Sequence, residues 1–176
     1  MTDLGTIGGS GSSSEAHGIN NRGQVVGYGS TASGNSHAVL WQGGAMTDLG
    51  TLGGTFAVAT SINDRGMVVG ESKTATGLDH AFLRRDGAMT DLGTLGGSYA
   101  HASHINNRGQ VVGESRVGSG SVYAHAFLWQ DGTMTDLGTL GGSSSPHWAS
   151  TTGARSSVTA IWPVATFMRC CGGTDA

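Results

Sequence analysis

The sequence predicts an all-β fold assembled from a repeated unit of four short strands. Three motifs that recur in register carry this prediction. The stretch Met-Thr-Asp-Leu-Gly-Thr-Leu-Gly-Gly, with Ile7 for Leu in its first copy, starts 45, 43 and 45 residues apart at Met1, Met46, Met89 and Met134. Two more motifs, Ile-Asn-(Asn/Asp)-Arg-Gly-(Gln/Met)-Val-Val-Gly and His-Ala-(Val/Phe)-Leu, recur between these starts, at Ile19, Ile62 and Ile105 and at His37, His80 and His125. Self-similarity at this period is typical of repeat architectures, so one repeat is the structural unit.

The second repeat displays the four predicted strands. Two segments indicate tight turns: Asn63 to Gly66, where Asn and Asp bond their own backbone and Gly accepts positive φ, and Asp86-Gly87, a two-residue hairpin signal. Runs of β-branched and apolar residues between the turns indicate strands, with a polar loop at 73–79 and a connector at 93–97. The predicted strands are Ala57–Asn63, Met67–Ser72, His80–Arg84 and Ala88–Leu92.

Four short strands in roughly 44 residues match one blade of a β-propeller. The first strand of each repeat is rich in Ala, Ser and Gly, and such small side chains suit the crowded innermost position of a blade. A stacked β-solenoid is the alternative, although solenoid coils usually have shorter periods and fewer hairpin turns. The chain has about three complete repeats, whereas closed propellers have at least about four blades. We therefore predict an incomplete propeller-like array that self-associates through its open blade edges.

Composition argues against several classes of protein. Charged residues make up 12% of the chain, Lys73 is the single lysine and the net charge is −3, so the basic surface of a nucleic-acid-binding protein is not expected. No apolar run approaches the ~18–20 residues needed to span a bilayer. The first residues lack the basic start and apolar stretch of a signal peptide. Because the chain starts within a repeat, we expect Met1 to be an internal methionine of a longer parent protein.

The repeat pattern ends at Gly142, and residues 143–176 share no motif with residues 1–142. Codons that encode Ile-Asn-Asn-Arg-Gly-Gln-Val-Val-Gly give Ser-Thr-Thr-Gly-Ala-Arg-Ser-Ser-Val when they are read one base later. This is the sequence of Ser150–Val158, and it lies where the motif is next expected. We therefore predict a folded part at 1–142 and an out-of-frame tail at 143–176, disordered or poorly packed, produced by a natural frameshift or a sequencing error.

The three motifs together resemble the HAF family of bacterial extracellular repeats. That family takes its name from the triplet found here as His80-Ala81-Phe82 and His125-Ala126-Phe127. The first repeat departs from the triplet because Val39 replaces Phe. The resemblance covers Met1 to about Gly142. It implies a secreted or surface-exposed bacterial protein, and it implies no reaction because the repeat has no assigned catalytic residues.

The recurring histidines and aspartates are the candidates for a metal site, and we interpret both as structural. Histidines of successive blades could surround a shared metal, but each lies on the third strand of its own blade, so a hydrogen bond to neighbouring backbone is favoured. Calcium loops concentrate several oxygen ligands within about a dozen residues, whereas each repeat has a single recurring aspartate, followed by Leu-Gly-Thr. The aspartates are Asp3, Asp48, Asp91 and Asp136. The other histidines recur at no common position and are interpreted as incidental: His17, His101, His104 and His147.

The sequence predicts no catalytic, cofactor-binding or metal-binding residue. Gly8–Ser14 is rich in Gly and Ser like a phosphate-binding loop, but it lacks the Gly-Lys-Ser/Thr ending and a following helix. The many serines do not form a Gly-x-Ser-x-Gly elbow between a strand and a helix. The main irregularities of the repeats, a longer loop at 117–123 and Arg84-Arg85 in place of Trp-Gln, are interpreted as surface variation.

We therefore expect a non-enzymatic extracellular repeat protein, a structural or partner-binding module of the bacterial cell exterior. Propellers commonly bind through loops at one end, so a glycan or a protein is the expected partner. Two alternatives stay open. The first is a propeller-based enzyme, a hydrolase or lyase, whose site lies in blades missing here. The second is a non-functional fragment of a disrupted gene.

Overall fold

A computed structural model describes residues 3–9 and 11–139, which form twelve β-strands and no helix. The strands are β1 (Ser14–Ile19), β2 (Val25–Ser30), β3 (Ser36–Gln42), β4 (Ala45–Gly50), β5 (Gly53–Ile62), β6 (Val68–Thr74), β7 (Asp79–Arg85), β8 (Ala88–Gly93), β9 (Gly96–Ile105), β10 (Val111–Val117), β11 (Ala124–Gln130) and β12 (Thr133–Gly138). The all-β prediction is confirmed for these residues. The predicted boundary at Gly142 and the predicted out-of-frame tail lie outside them.

The strands form three antiparallel sheets of four strands, one for each repeat. The first sheet contains β1–β4, the second β5–β8 and the third β9–β12, and consecutive strands pair within each sheet. Single parallel bridges, Ser36 with Phe56 and Asp79 with Tyr99, join the third strand of one sheet to the first strand of the next. Hydrogen bonds therefore link all twelve strands into one open, mixed array.

The predicted strand boundaries differ from the observed ones at the connections between strands. β5 begins at Gly53 rather than at Ala57, because Gly53 pairs with Thr74 at the end of β6. The predicted connector at 93–97 is likewise shorter, since β8 ends at Gly93 and β9 begins at Gly96. The predicted polar loop at 73–79 is a tight turn in which the Thr74 N–H donates to the carbonyl of Leu78 at 2.8 Å.

Apolar side chains of successive sheets pack together in two clusters. The first cluster combines residues of the first and second sheets, among them Val26, Leu49, Ile62, Val68 and Phe82. The second combines residues of the second and third sheets, among them Val69, Leu83, Leu92, Ile105 and Phe127. The adjacent residues Val68 and Val69 belong to different clusters because successive side chains of a strand point to opposite faces. The second sheet therefore contributes side chains to both clusters.

The glycine of each Val-Val-Gly motif allows the first two strands of a sheet to approach closely. A Cβ placed on Gly70 would overlap the carbonyl oxygen of Val58 on the facing strand. The same overlap would occur at Gly27 in the first sheet and at Gly113 in the third. A shift in the pairing register follows Ala59 beside this contact. The recurrence of this glycine is therefore explained by steric contact with the facing backbone.

The turns between the first and second strands of the three sheets stack on one another. The side-chain Nδ2 of Asn20 donates to the carbonyl oxygen of Asn63 at 2.9 Å, and Nδ2 of Asn63 donates to that of Asn106 at 2.9 Å. Each asparagine also closes its own turn, as Oδ1 of Asn63 does by accepting the N–H groups of Arg65 and Met67 at 3.0 Å. The asparagines of the first two repeats thus link each turn to the next one.

Candidate functional site

Each recurring histidine is held by the aspartate of the following Asp-Leu-Gly motif. In the second sheet, Nδ1 of His80 lies 2.8 Å from Oδ2 of Asp91. The equivalent distances are 2.8 Å in the first sheet and 3.0 Å in the third, in the pairs His37–Asp48 and His125–Asp136. The partner is therefore a carboxylate, and not the neighbouring backbone that is expected from the sequence.

The same carboxylate closes the turn at the end of the fourth strand. Oδ1 of Asp91 accepts the N–H of Gly93 at 2.7 Å, and Gly93 has a φ of 75°, which glycine adopts without a steric cost. Asp91 thus connects the turn backbone to the ring of His80. Because this arrangement recurs once in each of the three sheets, it indicates a structural role.

The recurring histidines do not assemble around a common ion in the part of the chain that the structure describes. Within residues 3–9 and 11–139, no group of three or more His, Cys, Asp or Glu side chains could hold a metal ion. The same residues contain no helix that is long and apolar enough to cross a membrane.

A second polar group connects the second and third sheets. Nδ1 of His101 lies 3.1 Å from Oε2 of Glu71, and the hydroxyl of Tyr99 donates to Oε1 of Glu114 at 3.2 Å. Burial of the Tyr99 phenol, together with the negative charges of Glu71 and Glu114, raises its pKa well above the usual range. The interpretation of His101 as incidental was therefore wrong, because its ring connects two repeats. Other residue types occupy this position in the first two repeats, so recurrence could not reveal it.

The remaining irregular histidines have different surroundings. The ring of His17 lies 6.0 Å from that of Tyr28, measured between centroids. Nδ1 of His104 is buried and has no hydrogen-bond partner among the described residues. Burial, and to a smaller extent the neighbouring His101, lowers the pKa of His104. His147 lies outside the described residues.

Asp64 occupies the centre of the stacked turns. Its carboxylate accepts hydrogen bonds from Nδ2 of Asn107 at 2.9 Å and from the N–H and Nδ2 of Asn21, both at 3.0 Å. These hydrogen bonds, above all the one from Asn107, lower the pKa of Asp64. The positive charge of Arg22 lowers it further, but by less. A single carboxylate in the second repeat therefore contacts the first and the third.

The stacked turns also bring one exposed arginine from each repeat to the same end of the array. These residues are Arg22, Arg65 and Arg108, and none of them forms an ion pair with another described residue. A cavity of about 470 Å³ between the second and third sheets is lined by the arginines Arg65, Arg85 and Arg108, by Trp129 and by the carboxylates of Asp86 and Asp131, among others. Arg85 is paired with Asp86 at 3.5 Å, so Arg65 and Arg108 are the arginines of this cavity without an ion pair among the described residues. Guanidinium groups beside an indole suit a ligand that carries carboxylate or sulfate groups on an apolar ring face.

No protein-family model matches the chain, and no curated protein sequence matches it.

Proposed function

We propose that the chain is a non-enzymatic repeat module of the bacterial cell exterior, related to the HAF family, that binds a partner through its stacked turns. One observation carries the proposal. The recurring His, Asp and Asn side chains make hydrogen bonds within or between repeats, whereas the recurring turn arginines form no ion pair among residues 3–9 and 11–139. The arginines are therefore the recurring charged groups that are available to a partner.

We also propose that the three sheets are blades of an incomplete propeller-like array. Four antiparallel strands that pair in sequence order form the unit of a propeller. The first strands of the second and third sheets carry fully buried alanines, Ala57, Ala59, Ala100 and Ala102, as the crowded centre of such an array requires. A solenoid would pair equivalent strands of successive repeats over their whole length. Here a parallel bridge of one residue pair joins the third strand of one sheet to the first strand of the next, which favours the propeller-like arrangement.

The chemistry of the arginine surface favours an acidic polysaccharide as the partner. Arginine presents several N–H donors in a plane, and it binds carboxylates with two parallel hydrogen bonds. A polymer with one carboxylate on each sugar could contact arginines of successive repeats, and Trp129 at the cavity offers a surface for the apolar face of a sugar ring. Such binding would weaken with added salt because exposed charges are screened beyond roughly 10 Å at 0.1 M ionic strength.

Titration of the full chain with alginate, a polymer of uronic acids, and with neutral dextran tests the proposal. We expect salt-sensitive binding of alginate, no binding of dextran, and at least about a tenfold loss of alginate affinity in the double variant Arg65→Gln/Arg108→Gln. The control variant Arg84→Gln/Arg116→Gln has the same net charge and should bind like the unmodified chain. Equal losses in the two variants, or equal binding of dextran, would contradict a specific arginine surface. Release of shortened sugar chains would instead favour the propeller-based enzyme.

A further inference from the structure

We propose that the open face of the third sheet binds the open face of the first sheet of a second copy of the chain. The contact is head to tail, and it repeats the packing that joins successive sheets within one chain. It does not depend on the binding of a polysaccharide. Exposed apolar residues on both faces support this contact independently, as do side-chain hydrogen-bond donors of the third sheet that have no partner in a following sheet.

The first sheet exposes apolar surface that its counterparts bury. Ile62 and Ile105 are each 7% exposed, and they belong to the clusters that join their sheets to the preceding sheet. Ile19 is the equivalent residue of the first sheet and is 69% exposed. Ile19 is more exposed because, among the described residues, no sheet precedes the first one and packs against it. The face that carries Ile19 therefore has the composition of an inter-repeat contact without its partner.

The third sheet shows the complementary difference on its other face. Leu49 and Leu92, which lie in the clusters that join their sheets to the following sheet, are 7% and 9% exposed. Leu137 is their equivalent in β12 and is 39% exposed. The two open faces are therefore the two halves of a contact that the chain already makes twice.

Two polar groups on the third sheet lack the partners that their counterparts have. The hydroxyl of Thr60 donates to the carbonyl oxygen of Ala102 in the next sheet at 2.6 Å. Ser103 is the equivalent residue of the third sheet, and its buried hydroxyl has no hydrogen-bond partner among the described residues. A buried polar group without a partner is destabilising, so a new acceptor would favour association. The equivalent acceptor in a second copy is the carbonyl of Ala16.

The asparagine ladder is open at the same place. Asn20 and Asn63 each donate to the carbonyl oxygen of the next turn, whereas no bond of this kind extends from Asn106 within the described residues. The carbonyl of Asn20 in a second copy is the equivalent acceptor. A second copy thus supplies the apolar residue and both acceptors in the spacing that the third sheet requires.

The sequence predicts self-association through strand edges, whereas the contact proposed here joins sheet faces. Because the two faces differ, the contact is heterologous, and it generates a ring if the rotation closes and a filament if it does not.

Sedimentation of the full chain over a range of concentrations, with two variants, tests the proposal. Ile19→Glu places a charge on the open face of the first sheet, and Leu137→Glu does so on that of the third. Val122→Glu is the matched control, because Val122 is 73% exposed and lies in the loop before β11 rather than on a strand of either face. We expect oligomers for the unmodified chain and for Val122→Glu. Each face variant alone should be monomeric, with association weakened at least about tenfold.

Mixing the two face variants distinguishes a head-to-tail contact from a symmetric one. Ile19→Glu keeps the open face of the third sheet, and Leu137→Glu keeps that of the first, so a mixture should form a one-to-one dimer and nothing larger. A monomeric unmodified chain would overturn the proposal, because the two faces would then not bind a second copy. A mixture that stays monomeric, or face variants that still associate alone, would also overturn it.

Discussion

Substitution of Gly70 tests whether the recurring Val-Val-Gly motif is a steric requirement. A Cβ at Gly70 would overlap the carbonyl oxygen of Val58 and would lie 2.9 Å from its carbonyl carbon and 3.0 Å from Cα of Ala59. All three atoms are backbone atoms, so relief requires separation of β5 from β6 rather than rotation of a side chain. Overpacking typically costs about 1–3 kcal/mol, and we expect Gly70→Ala to cost about 3 kcal/mol because the obstacle is a strand.

Gly77→Ala is the matched control for this prediction. Gly77 has a φ of 84°, and no atom beyond the two flanking residues lies within 4 Å of the position that an added methyl group would take. Alanine there therefore meets a conformational cost of about 1–2 kcal/mol and no overlap. Urea unfolding of both variants, followed by tryptophan fluorescence, gives the two changes in the free energy of unfolding. A Gly70→Ala variant that is no less stable than Gly77→Ala would refute the steric explanation.

Three further predictions concern single side chains. His80→Ala should lower the thermal midpoint through loss of the aspartate contact, with no change in metal content by elemental analysis; stoichiometric metal lost with the ring would show a ligand role instead. Ser72→Ala should cost about 1–3 kcal/mol in urea unfolding, because the partly buried N–H of Leu52 loses the fully buried Ser72 hydroxyl as its acceptor at 2.8 Å, whereas Ser33→Ala at an exposed position should be neutral. The pKa of His104 in the folded state is below its ordinary value of 6.5, so the unfolded chain takes up this proton at a higher pH than the folded chain does. Stability should therefore fall as the pH decreases below about 6.5. The variant His104→Ser carries the residue type that the second repeat has at this position, and it should lack this loss of stability at low pH. The same pH dependence of the urea midpoint in the variant and in the unmodified chain would contradict this prediction.

Recurrence is the reason that the strands could be predicted from the sequence. Asp86 and Gly87 have φ values of 53° and 84°, as a two-residue Asp-Gly hairpin requires, and strands were found on both sides of it. The pairing of His80 with Asp91 could also have been predicted. Both belong to recurring motifs, they are separated by the same 11 residues in each repeat, and they lie on strands joined by this hairpin.

Other features could not be predicted because they depend on contacts between repeats. The bond between His101 and Glu71 joins residues 30 positions apart that do not recur as a pair. The early start of β5 at Gly53 depends on the backbone of Thr74 rather than on local strand propensity. The cavity beside Trp129 depends on how two sheets pack, which composition does not determine.

The ionisation of Asp64 provides the most direct measurement of the stacking of the three repeats. Its carboxylate is bonded by Asn21 of the first repeat and Asn107 of the third, each 43 residues away. A carbon-detected NMR titration of the full chain should give a pKa below the ordinary value of 3.8, and the pKa should rise toward that value in Asn107→Ala and in Asn21→Ala. An ordinary pKa in the unmodified chain, or a lowered one that neither substitution changes, would contradict the stacked arrangement of the turns.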